Sequence, residues 1–223
     1  MKGTLLNMVT VLGGTGIGVL IGSRIRERFR TIAFVALGLT TFLIGLQMAL
    51  KTQQVLVPML SLLVGGLLGE ALAIEERIQT LGNRFTGGKG AEGFVAASLL
   101  FCVGSMTVLG ALEEGIQGTF KIYSIKALLD GVASIAFASA MGWGVGLAAL
   151  SVLVIQGGLT LLAAQAQPWL TPALLNELTG TGGLILVSLA LGMLEIKKLP
   201  VANLLPALLL APFFCLILGK LPL

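Results

Sequence analysis

The sequence predicts an all-α membrane protein, a polytopic transmembrane helical bundle of about eight spans. Three observations lead there. Of 223 residues 56% are hydrophobic and 11% charged, less than half of the roughly 25% charged residues in an ordinary soluble domain. Mean hydropathy is +1.02, and the apolar residues gather into runs close to the ~20 residues that cross a bilayer at 1.5 Å rise. The charges sit between those runs instead of forming one basic face, so a net charge of +4 reads as membrane topology and not as a nucleic-acid surface.

Taken in order, the first segment, 5–22, is apolar and glycine-rich. Its arginines follow the run and no small-residue cleavage site is evident, so it reads as a retained helix and not as a signal peptide. Segment 31–50 is uninterrupted, 55–74 carries Glu70 beside Gly69, and 93–112 ends at Glu113 and Glu114. Segment 122–141 holds Asp130, and 145–166 holds Gln156 before Gly157-Gly158. The last two, 178–196 and 201–219, are separated only by Lys197, Lys198, Leu199 and Pro200, so a helical hairpin is the alternative to two crossings. Glu195 is placed to pair with Lys198 there.

Lysine and arginine are retained on the cytoplasmic side of short loops. The loops after the first, third and seventh segments carry Arg24, Arg26, Arg28, Arg30, Arg77, Arg84, Lys89, Lys197 and Lys198, against Lys2, Lys51, Lys121 and Lys220 on the other side. Both termini are therefore expected outside.

Leu60-Ser61-Leu62-Leu63-Val64, followed by Gly65-Gly66-Leu67, returns as Leu150-Ser151-Val152-Leu153-Val154 with Gly157-Gly158-Leu159. The second string lies three segments further along the chain, an odd step that reverses orientation. The expectation is one domain, 1–223, holding a 3+3 inverted repeat (1–74 and 93–166) and a C-terminal helix pair at 178–219. A weaker echo links Leu6-Asn7, Thr10 and Gly13-Gly14 to Leu175-Asn176, Thr179 and Gly182-Gly183.

Candidate chemistry follows from polar residues in apolar surroundings. Asp130 is the only aspartate, one turn beyond Lys126 at the i, i+4 spacing that brings side chains together. An intramembrane acid faces a protein interior or a water path and marks a functional site by default. The pair reads either as a relay that opens when a cation or proton takes the carboxylate, or as a self-neutralising packing pair, with a lysine that snorkels as a further reading. Glu113 and Glu114 are adjacent, so they cannot share a helix face; one facing a pore mouth and plain solvated helix-end charges are the two readings. Glu70, Gln156, Asn7, Thr10, Ser105, Thr107 and Asn176 complete the candidates for ion or solute contact, each equally able to bridge helices.

Other classes fall away. There is no histidine, and Cys102 and Cys215 lie in apolar runs as small hydrophobes, so neither a serine–histidine hydrolase nor a zinc enzyme is expected. A paired-aspartate protease lacks its second aspartate. The glycine runs lack the Gly-Lys-Ser/Thr ending of a phosphate loop. No enzyme activity, cofactor or metal site is expected. The partners are the bilayer, a small ion or polar solute and a second copy of the chain.

Phe101-Cys102-Val103-Gly104 running into Thr107-Val108-Leu109-Gly110, then Lys126 through Leu129-Asp130-Gly131, then Gln156-Gly157-Gly158-Leu159-Thr160-Leu161, resemble a bacterial inner-membrane family of unknown function typified by YqgA and YdfK. Ser105 stands where that family commonly has proline. The resemblance implies a polytopic bacterial membrane protein and supplies no activity. The expected function rests on the polar residues: a secondary transporter or channel for a small ion or polar solute, with a non-transporting scaffold or accessory protein as the alternative.

Overall fold

The computed structural model describes residues 1–24, 26–86 and 90–218; the side chains of Glu27, Arg30, residues 81–86, Ser105, Ala166 and Trp169 lie outside that description. So, among the basic residues counted for topology, do Lys89 and Lys220 entirely and the side chains of Arg30 and Arg84. Among the described residues all regular structure is helical: α1 (Lys2–Gly22), α2 (Glu27–Ala49), α3 (Leu56–Ala71), α4 (Ile74–Thr86), α5 (Gly90–Cys102), α6 (Ser105–Leu112), α7 (Lys121–Met141), α8 (Gly144–Ser151), α9 (Gly157–Leu161), α10 (Ala163–Ala166), α11 (Pro172–Met193) and α12 (Pro206–Leu218). π-helical turns cover Glu113–Gln117 and Val152–Gln156, and 3₁₀ turns cover Gln167–Trp169 and Val201–Leu204.

Six stretches are long and apolar enough to cross a membrane: α1, Thr31–Ala49, α7, Gly144–Leu161, α11 and Val201–Leu218. The third and fourth expected segments are bent. At Leu72 and Ala73 the chain turns by 57°, with Ala73 at φ 50°, and between α5 and α6 it turns by 55°, where Gly104 is extended at ψ 152°. A bend of that size still leaves the second helix advancing. The 16 residues of α3 rise about 24 Å and residues 74–80 add about 6 Å along the same axis. The second pair sums to about 30 Å in the same way, which matches the hydrocarbon thickness.

The chain divides into two compact units, Met1–Leu37 with Gln79–Pro168, and Gly38–Ile78 with Trp169–Leu223. That division falls within the stretch expected as the first copy, 1–74, and leaves 93–166 whole inside the first unit.

In the first unit α1 lies directly on α7. Gly14, Gly18 and Gly22 recur every four residues, so they stack on one face of α1, and a Cβ on them would run into the carbonyls of Gly131, Ile135 and Ser139 respectively. The partners ascend in the same order, so α1 and α7 are parallel. Parallel helices require an odd number of crossings between them: either both bent pairs cross or neither does. Their rise of about 30 Å favours both, for eight crossings. α5 and α8 are also parallel, with Gly90 against Gly144 and Ser98 Oγ 2.9 Å from Ser151 Oγ. Gly142, at φ 77°, turns α7 into α8. Phe101, Tyr123, Val145 and Val152 form the buried apolar core around them.

In the second unit the latter half of α2 packs antiparallel to α11, with Gly45 against Val187 and Ala49 against Gly183. α3 packs antiparallel to α12, with Gly65 against Ala207 and Gly69 against Asn203. α11 begins at Pro172, where the segment was expected to start at 178. Thr171 caps it, its Oγ1 accepting from Leu174 N at 3.2 Å, and proline at the first helical position needs no amide partner. Glu195 takes φ 57° in the turn after α11, and no ion pair joins it to Lys198 among the described residues.

Candidate functional site

The polar centre of the first unit is assembled from three separate stretches of chain. Asn7 comes from the second turn of α1, Lys126 and Asp130 from successive turns of α7, and Gln156 from the end of the π-helical turn after α8. Close packing of α1 on α7 brings Asn7 to the carboxylate: its Nδ2 donates to Asp130 Oδ2 at 2.8 Å and to Gln156 Oε1 at 3.0 Å. Lys126 Nζ forms an ion pair with the same Oδ2. The amide of Asn7 has to present nitrogen, because an oxygen there would face the carboxylate oxygen.

All four side chains are buried: Asn7 and Gln156 are 0% exposed, Lys126 4% and Asp130 8%. Lys126 therefore stays inside, its ammonium 5.9 Å from the centroid of the Phe101 ring. A π-helical turn widens the helix and displaces the residue that ends it, a device common at functional sites. Here it presents Gln156, whose carbonyl also accepts from Thr160 Oγ1 at 2.8 Å. Ser134 and Thr10 hydroxyls bond the carbonyls of Asp130 and Asn7, tying each backbone in place.

The cluster is incompletely satisfied. Asn7 Oδ1 and Gln156 Nε2 are buried with no hydrogen-bond partner, and Asp130 Oδ1 accepts none among the described residues. A buried polar atom left unpaired costs about 1–3 kcal/mol, so Asn7 Oδ1 and Gln156 Nε2 mark a place where a solute or water completes the set.

Glu113 and Glu114 turn out to serve different helix ends. Glu113 accepts from the backbone of Lys121 at 3.1 Å and Ile122 at 2.9 Å, and from Thr119 Oγ1 at 2.7 Å, capping α7. Glu114 accepts from Gly3 N at 2.7 Å and Thr4 Oγ1 at 3.4 Å, holding the first turn of α1. Both stand in the π-helical turn Glu113–Gln117, and as neighbours on a helix they point to different sides. Thr107 is fully buried and its hydroxyl donates to Phe101 O at 3.0 Å across the α5–α6 break, while Tyr123 Oη donates to Thr107 O at 2.8 Å. The side chain of Ser105 lies outside the described residues.

Glu70 and Asn176 belong to the second unit. Glu70 is exposed and accepts from Asn203 Nδ2 at 2.6 Å; Asn203 Oδ1 accepts from Glu75 N at 2.7 Å, and Glu75 accepts from Ala202 N at 2.7 Å. That triad clamps the turn before α12 to the α3–α4 bend. Asn176 is half-buried, and its neighbour Glu177, 2% exposed, is the residue that the sequence reading passed over. The cap signal Thr171-Pro172 was available to find it, since it starts the helix early enough to enclose Glu177.

A family model described as "Protein of unknown function (DUF554)" matches residues 2–216. The uncharacterized membrane protein YdfK of Bacillus subtilis (strain 168) is 34% identical over 216 residues, covering 95% of this chain and 94% of its own. The uncharacterized protein YqgA of Escherichia coli (strain K12) is 32% identical over 220 residues, covering 94% of each. No solved structure matches the chain.

Proposed function

The chain belongs to the DUF554 family and is a multi-pass helical membrane protein, and from that premise we propose that it is a secondary transporter or channel for a small ion or polar solute. Transport is coupled through the Asp130 carboxylate near the middle of α7, in an inner membrane of a bacterial cell with both chain termini outside. The single observation that supports this reading is the convergence of Asn7, Lys126, Asp130 and Gln156 on one buried point with Asn7 Oδ1 and Gln156 Nε2 left unpartnered. The open acceptor on Asn7 and the open donor on Gln156 stand beside a carboxylate that still has an uncommitted oxygen, which is room for a polar guest.

The arrangement suits a cation or proton. Arrival of positive charge at Asp130 Oδ1 competes with Lys126 for the carboxylate and weakens the bridge to α1 through Asn7. Departure restores the ion pair, so the site has a closed resting state without cargo. Glu113 and Glu114 keep the ends of α7 and α1 in place while this happens. Charge movement on a solid-supported membrane tests it, with purified protein challenged by Na⁺, K⁺, H⁺, divalent cations, halides and amino acids. A wild-type current that is lost in folded Asp130→Asn is the expected result. Absence of both current and electroneutral tracer uptake under every condition would favour the scaffold alternative.

A further inference from the structure

The second unit holds a buried carboxylate whose partners among the described residues are all neutral. Glu177 projects from the second turn of α11, and it is as buried as Asp130 yet has no lysine or arginine paired with it among the described residues. Its partners are neutral: Oε1 accepts from Gln53 N at 2.7 Å and Gln54 N at 3.0 Å, and Oε2 accepts from Thr52 Oγ1. Aligned backbone amides supply only partial positive charge, of order half a unit at a helix start. Of the roughly four lone-pair directions on a carboxylate, three are taken. One remains on Oε2.

Beside it is a half-open cavity of about 440 Å³, lined by Gln53, Gln54 and Glu177 on one hand and by Val55, Leu56, Ala173 and Cys215 on the other. Gln54 Oε1 is buried there with no hydrogen-bond partner. The cavity thus offers two unsaturated oxygens, one of them anionic, beside an apolar patch of four residues. A bare alkali ion does not fill such a space. At about 30 Å³ per water it would need on the order of a dozen waters, and Val55, Leu56, Ala173 and Cys215 give those waters little to bind. A ligand with a cationic head and a hydrocarbon body matches both surfaces, as ligand clefts of about 300–1,000 Å³ generally do with few convergent polar groups.

We propose that this cavity is a binding site for a small organic ammonium ion, its head on Glu177 Oε2 and Gln54 Oε1 and its alkyl chain on Val55, Leu56, Ala173 and Cys215. The site is separate in residues from the Asp130 cluster. The contrast between them is chemical: Asp130 carries its own ammonium in Lys126, whereas Glu177 takes one from outside.

The test uses full-length protein in lipid nanodiscs and n-butylammonium chloride as the probe, read by calorimetry. One saturable site per chain is expected. Glu177→Gln keeps an oxygen for the Gln53 and Gln54 amides but removes the charge, and weakens binding at least tenfold. Ala173→Leu fills the cavity without touching the carboxylate, and weakens it to a similar degree even if Glu177→Gln fails to fold. Bound butylammonium also slows maleimide modification of half-buried Cys215 several-fold by peptide mass mapping, with buried Cys102 as the internal reference. No saturable binding to folded wild type would overturn the proposal, as would affinity within twofold of wild type in both variants. Displacement of butylammonium by an equal concentration of K⁺ would equally overturn it, making this an inorganic cation site.

Discussion

Removing one member of the Lys126–Asp130 pair strands the other in a place that water hardly reaches, since the two are 4% and 8% exposed. Leaving a buried charge unpaired costs about 3–5 kcal/mol, whereas replacing the whole pair by apolar groups of similar volume is often neutral. Lys126→Met leaves a short, rigidly placed carboxylate with only the Asn7 amide to answer it, and should lose stability near the upper end of that range. Asp130→Asn leaves a long, flexible ammonium that can swing towards the interface, so its loss should be nearer the lower end or below it. The double variant Lys126→Met/Asp130→Leu should recover most of the loss, giving a coupling of at least about 2 kcal/mol in a double-mutant cycle. Unfolding of the four proteins in mixed micelles, followed by circular dichroism, reads these differences. Strictly additive single losses would refute the argument, because additivity means that neither charge senses the other.

Gly18→Ala places a Cβ against the Ile135 carbonyl and the Ala138 side chain, and should cost about 1–3 kcal/mol by forcing α1 off α7. Gly13→Ala meets nothing within 4 Å and should be neutral or slightly stabilising in the same melting assay. Asn203→Ala unties Glu70 and the Glu75 amide, and should cost about 1–3 kcal/mol, with faster hydrogen exchange at residues 72–75 as its local signature. Eight crossings with the N-terminus outside predict that Lys51→Cys is labelled by an impermeant maleimide in intact cells, while Lys197→Cys is labelled only after permeabilisation. The reverse pattern would invert the topology.

The fold class was open to sequence reading because hydropathy is additive along a chain: every one of the eight expected segments overlaps a helix. The two bent pairs were not, since a bend rests on a single residue such as Ala73 at φ 50° or Gly104 at ψ 152°, and neither changes the hydropathy of a window. Lys126 and Asp130 were legible together because i, i+4 spacing is local. Their junction with Asn7 and Gln156 depends on a glycine face meeting backbone carbonyls 117 positions along, in which the sequence shows the glycines but not their partner. Glu177 was passed over for a different reason. A cap moved the helix start by six residues, and an acid taken as loop became an acid within the span.

The parallel seating of α1 on α7 also sets an order of events during biosynthesis. Asn7 and Asp130 are 123 residues apart, and at about 5–20 residues per second the ribosome needs roughly 6–25 seconds to supply the second after the first. Throughout that interval α1 is already in the bilayer with Gly14, Gly18, Gly22 and the Asn7 amide bare to lipid. The first helix made thus waits for α7 before it finds its seat, and an insertase that shelters a polar, glycine-faced helix until α7 emerges would govern how much of this protein reaches the membrane correctly assembled.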